Sequence, residues 1–258
     1  MLSFIHKFWK LLLVILRHFW NGFYGKRLFD NEIDQRDFLT KMLQKSSLEA
    51  LKILNIELVI KDSKKLINKS SNNLIVSNHL SYVDVMIISA IKQSAFVTSK
   101  EVEQSPFLGD VCRMAGTYFV ERRNTYGLRQ QLNEITSALK SGMNVALFPE
   151  ATSTDGSHIR PFKRGLLAAA KNAGVNVLPL CLNYTHVNEE PIDRLSRDSV
   201  FYYGEMSFFP HLIRLLRAKS VPVELEVLDE IPHSYTNERV EITEVLYERL
   251  QSVFVPVS

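Results

Sequence analysis

Cysteine is scarce in this chain of 258 residues, which holds only 2, Cys112 and Cys181. A pair so far apart gives neither a metal-ligand set nor a disulfide framework, and the apolar neighbours of both suit packing. The compartment they imply is reducing or indifferent. No internal repeat, low-complexity tract or long Pro/Gly-rich linker interrupts the chain, so it does not divide into several domains. No acidic residue precedes Asp30. No apolar run there approaches the ~20 residues that span a bilayer. The Gly-x-Ser-x-Gly elbow of many serine hydrolases is missing. The net charge is only +3 and no nucleic-acid motif accompanies the basic residues, which argues against nucleic acid as a partner.

What is present is a chain that is 46% hydrophobic, enough to bury one good core. Helical and strand patterns alternate along most of it. Helices are expected at 36–54, 83–91, 106–115, 127–139 and 165–172, around 211–219, and at 238–252. Strands are expected at 56–60, 74–76, 95–97, 118–120, 145–148, 177–183, 200–203 and 221–227. This pattern predicts an α/β fold: a single domain with a mixed sheet flanked by helices, preceded by an N-terminal helical segment. The break between the two lies over 25–35, dividing residues 1–35 from a body at 36–258.

The N-terminal segment interleaves Phe4, Phe8, Trp9, Phe19, Trp20 and Phe23 with Lys7, Lys10, Arg17, Lys26 and Arg27. Lys10 interrupts the apolar region and no small-residue cleavage site follows, so a signal peptide fits poorly. Aromatic rings mixed with cations on one helix suit a membrane interface, where rings lie among head groups and lysines meet anionic lipid. The alternative is a helix packed on the body of its own protein.

The densest chemistry lies in Asn78-His79-Leu80-Ser81-Tyr82-Val83-Asp84. A short apolar strand turns here into an apolar helix, so His79 occupies the connecting loop, where functional groups concentrate. A loop histidine and a first-turn aspartate can face each other. The carboxylate then accepts the imidazole N–H and fixes its tautomer, leaving the other nitrogen to take a proton. The plainer alternative is a capping box from Ser81 to Asp84 with His79 as a polar loop residue, and both readings can hold together.

Further segments follow in order: Gly116-Thr117-Tyr118-Phe119-Val120-Glu121-Arg122, Phe148-Pro149-Glu150-Ala151-Thr152 and Val177-Leu178-Pro179-Leu180. With Asn78-His79 and Asp84 they resemble the four blocks of the glycerolipid acyltransferase family. The resemblance runs from about Leu51 to Tyr184. It implies His79 and Asp84 as the catalytic pair, and Arg122, Glu150, Thr152 and Lys163 as acceptor-binding residues. Asn78, Lys100, Gly116 and Arg160 are further candidates, and no metal is expected. Alternatives read from the residues alone are a solvated strand-end cation for Arg122 and a loop cap for Glu150 and Thr152.

The third block of the family usually reads Phe-Pro-Glu-Gly-Thr-Arg, whereas this chain has Ala151 and Ser153 in place of the glycine and arginine. Its stretch from Ser153 to Lys163 looks more like members that acylate other lysolipids, including lyso-ornithine lipid. The resemblance implies a membrane-associated O-acyltransferase with 36–258 as its catalytic domain. It would move a fatty acyl group from acyl-CoA or acyl-carrier protein, as co-substrate rather than cofactor, to a lysolipid hydroxyl. The first acceptor to expect is 1-acyl-sn-glycerol-3-phosphate, giving phosphatidic acid, at the cytoplasmic face of the inner membrane. The alternatives are a different lysolipid acceptor, a non-catalytic lipid-binding relative, and a hydrolase sharing the acid/base pair.

Overall fold

The computed structural model describes residues 2–67, 72–121, 125–237 and 241–257. The first half runs α1 (Leu2–Leu28), α2 (Glu32–Ile53), β1 (Ile56–Lys61), α3 (Lys64–Ile67), β2 (Leu74–Ser77), α4 (Val83–Ile91), β3 (Ala95–Ser99), α5 (Lys100–Glu103) and α6 (Leu108–Met114). It continues through β4 (Tyr118–Val120), α7 (Thr125–Lys140), β5 (Val145–Leu147), α8 (Ala168–Ala173), β6 (Val177–Tyr184) and the small hairpin β7 (His186–Val187) and β8 (Glu190–Pro191). It closes with α9 (Phe208–Arg217), β9 (Val221–Val227) and α10 (Ile242–Gln251).

Seven strands form one sheet in the order β1-β9-β6-β2-β5-β3-β4. Within this sheet, among the described residues, only β6 and β9 pair antiparallel, so β1 and β9 run against the other five and the sheet is mixed, as the alternating pattern predicts. Both β2 and β6 are buried along their whole length, and they read as continuous apolar runs because helices cover both faces. Successive residues of β2 serve opposite layers. Ile75 packs with α1, α2, α4 and α9, whereas Leu74 and Val76 pack with α7, α8 and α10. The topology places the carboxyl ends of β2, β3, β4, β5 and β6 along one edge. The order reverses about β2, where open α/β sheets form a crevice for ligands.

Several expectations change. The strand expected over 200–203 is absent: Val200 and Phe201 are fully buried, but their N–H groups turn back to the carbonyl of Arg197. Tyr202 donates instead to the Leu80 carbonyl at 2.9 Å, which holds the loop against the β2–α4 turn. An apolar run reports burial, and here burial comes without a ladder. The first helix passes through Gly25 and the break narrows to 29–31, because Asn31 caps α2 by accepting from the Ile33 N–H. A Cβ on Gly25 would meet Phe38 at 2.6 Å, so this glycine lets α1 and α2 lie close.

Candidate active site

The turn from β2 to α4 is held from below by Asn78. Its side-chain amide donates to the Leu182 carbonyl at 2.9 Å and its oxygen accepts the Leu182 N–H at 2.8 Å, clamping the end of β2 to β6. Asn78 is thereby spent on the scaffold. His79 follows, with its Nδ1 2.9 Å from Oδ2 of Asp84. Asp84 is fully buried in the first turn of α4. The same Oδ2 accepts the N–H groups of Leu80 and Ser81, at 2.7 and 2.9 Å, and Oδ1 accepts the Tyr184 hydroxyl at 2.6 Å. This many donors hold the buried carboxylate in one orientation. It also makes half of a capping box, so the acid/base and capping readings coexist.

Tyr184, at the end of β6, was not singled out by any motif. Burial raises its hydroxyl well above the ordinary range and the Asp84 carboxylate adds to the rise, so it remains a donor. The signal that would have found it is a polar-tipped aromatic ending an otherwise apolar strand. Phe148 is a second addition, its ring stacked on the His79 imidazole with centroids 4.0 Å apart and planes 12° apart. No hydrogen bond to a described residue engages Nε2 of His79, whose side chain keeps 20% exposure.

Glu150 lies at the carboxyl end of β5 and is buried. Its Oε1 accepts the His79 N–H at 2.8 Å and its Oε2 the Arg160 N–H at 2.7 Å, so the carboxylate braces the loops around His79 instead of presenting free oxygens. Burial raises its pKa to about 7, against the lowering effect of the two backbone donors. Ala151 adopts φ 63°, in the left-handed region that favours glycine. From there the chain crosses His79, whose carbonyl accepts the Thr154 N–H at 2.9 Å. Thr152, Arg160 and Lys163 are exposed on this loop.

Exposed Lys163 lines a cleft of about 420 Å³ together with Phe148, Pro149, Val97, Val120 and Leu128. Arg164, which lines the same cleft, is paired with Glu241. A second cavity, about 190 Å³ and almost wholly apolar, is walled by Leu11 and Val14 of α1, Tyr82 just before α4, Met86 of α4, and Phe208 and Leu212 of α9. Phe148, stacked on the His79 ring, also lines the first cleft, and Tyr82, three residues after His79, lines the apolar cavity.

Lys100 opens α5 just past β3, on the same edge of the sheet as His79, with its side chain exposed. Gly116 is a correction. It precedes β4, at the opposite edge of the sheet, where its φ of 73° makes a turn and a Cβ would meet Arg36 and Leu39 at 3.1 and 3.2 Å. Gly116 serves packing against α2. Arg122 lies outside the described residues. No group of three or more potential metal ligands occurs among the described residues.

An acyltransferase family model matches residues 59–183, a span containing His79, Asp84 and Glu150. A lyso-ornithine lipid O-acyltransferase of Brucella abortus is 31% identical over 187 residues, 70% of this chain and 70% of that protein. A 1-acyl-sn-glycerol-3-phosphate acyltransferase of Neisseria gonorrhoeae is 27% identical over 180 residues, 70% of this chain and 68% of that protein. The aligned parts take in between 29% and 70% of the curated relatives' own lengths. The crystal structure of a 1-acyl-sn-glycerophosphate (LPA) acyltransferase from Thermotoga maritima shares the fold, with a TM-score of 0.62 and 20% identity over 95% of each chain.

Proposed function

This chain belongs to the acyltransferase family, and from that premise we propose that it moves a fatty acyl group from a thioester donor, acyl-CoA or acyl-carrier protein, to the hydroxyl of a lysolipid. The observation that carries this reading is the His79 Nδ1 to Asp84 Oδ2 contact of 2.9 Å. Asp84 holds the proton on Nδ1, so Nε2 is the basic nitrogen. The lipid hydroxyl gives its proton to Nε2 as its oxygen attacks the thioester carbonyl. Collapse of the tetrahedral adduct breaks the C–S bond, and the departing thiolate takes the proton from His79. No acyl-enzyme forms, because the lipid hydroxyl stands where a serine nucleophile would.

The cleft beside Phe148, lined in part by Lys163, suits an anionic head group, and the apolar cavity lined by Tyr82 suits part of an acyl chain. The first acceptor is 1-acyl-sn-glycerol-3-phosphate, giving phosphatidic acid. Lyso-ornithine lipid is a second reading, favoured by Ser153 at the position where the family's phosphate-associated arginine would stand. Both donors are cytosolic, so the site works at the cytoplasmic leaflet. There α1 lies in the interface with Trp9, Leu13, Leu16 and Trp20 outward. Incubating the purified protein with labelled acyl-CoA or acyl-carrier protein and a panel of lysolipids, then weighing the product, tests this. A diacyl lipid supports transfer, whereas free fatty acid would identify a hydrolase and no product a binding protein.

A further inference from the structure

Building on the interfacial role proposed above for α1, we infer that α9 is a second bilayer-contacting helix, and that the two form one platform for an anionic lipid surface. The sequence of α9 divides sharply by face. His211, Leu215 and Leu216 are buried against the body, while Phe209 at 58% exposure and Ile213 at 41% point outward one turn apart. Arg217 continues that stripe another turn on, and Arg214 lies beside it, both exposed. Two large apolar side chains left in water beside two cations, with no acidic residue in the helix, match the chemistry of an anionic interface. The nearest acidic side chain in sequence, Glu205, precedes the helix.

Contacts at both ends tie α9 to α1. At one end the Lys7 ammonium donates to the Ala218 carbonyl at 2.7 Å, and the Arg217 guanidinium lies 5.7 Å from the centre of the Phe4 ring. At the other, Phe107 bridges the helices, with ring centroids 6.0 Å from Phe19 and 5.3 Å from Phe209. Phe107 takes φ 67° to do so, a conformation costly for a bulky residue. Side chains of both helices wall the apolar cavity, so a bilayer held against them lies beside the space assigned above to the acyl chain.

The test is sedimentation of the full chain with vesicles of phosphatidylcholine alone or with phosphatidylglycerol added. The variant pairs are Phe209→Ser with Ile213→Ser, and Arg214→Gln with Arg217→Gln. Each pair should weaken binding to the anionic vesicles about tenfold or more, and only the arginine pair should reduce the preference for anionic over neutral lipid. Phe209→Trp in a Trp9→Phe/Trp20→Phe background supplies a probe independent of variant stability. Its emission should shift to the blue, and brominated lipid should quench it, when anionic vesicles are added. If wild type binds but both pairs bind equally well and the new tryptophan stays in water, α9 is not a contact while α1 remains one. If wild type binds no vesicles, the interfacial reading of both helices falls.

Discussion

At the scale of single residues, His79 and Asp84 were legible because their chemistry follows from spacing at a strand-to-helix turn, and the structure brings their side chains within 2.9 Å. The direction in which a carboxylate faces is not written in spacing. Glu150 stands at the expected strand end, yet both its oxygens turn to backbone donors. Its raised pKa has a measurable consequence. Between the ordinary value of 4.5 and about 7 the folded protein keeps a proton on Glu150 that the unfolded chain has released. Stability should therefore fall as pH rises through that window and change no further from this group above it. Urea unfolding at pH 5 and pH 8 should show the decline, and Glu150→Gln should flatten it; an unchanged slope would show that Glu150 ionises normally. Ala151 offers another check. Its φ of 63° is strained for a side chain, so Ala151→Gly should leave the melting temperature unchanged or raise it. An alanine without strain would instead lose about 0.4–1 kcal/mol on becoming glycine.

At the scale of elements, most strands and helices were readable because buried strands give unbroken apolar runs and amphipathic helices give a period. The segment at 200–203 misled because it is buried without pairing, and Gly116 misled because a motif in one dimension does not say at which end of a strand a residue lies. In this fold Gly116 precedes β4, at the end of the strand away from the edge where His79 sits. The loop from Ala151 to Lys163 is the element in which this chain departs most from the family pattern, and the Thr154 N–H to His79 bond runs it directly across the site. Ser153→Arg would restore a guanidinium fork there, which suits a terminal phosphate better than a zwitterionic head. In competition assays it should raise the preference for lysophosphatidic acid over lyso-ornithine lipid several-fold. An unchanged ratio would mean that residue 153 does not face the head group.

At the scale of the whole molecule, the first helix unites two readings that its sequence leaves open. Leu11, Val14 and His18 are buried against the body, while Trp9 and Trp20 remain 59% and 68% exposed. The helix is thus a wall of the protein as well as a surface, and removing it would uncover the apolar cavity. No helix among the described residues is long and apolar enough to cross a membrane. Trp9→Ser with Trp20→Ser should keep the fold, judged by circular dichroism, and lose most sedimentation with anionic vesicles; undiminished binding would move the anchor away from α1. Above all, the molecule is read as a rigid α/β body presenting one histidine as a base to a lipid hydroxyl. The most direct measurement is the rate of diacyl product formation by wild type and His79→Ala under matched vesicle binding. General-base catalysis is typically worth about 10²–10⁴-fold, so the variant should lose at least two orders of magnitude while still binding vesicles. Near-normal turnover by His79→Ala would contradict the account.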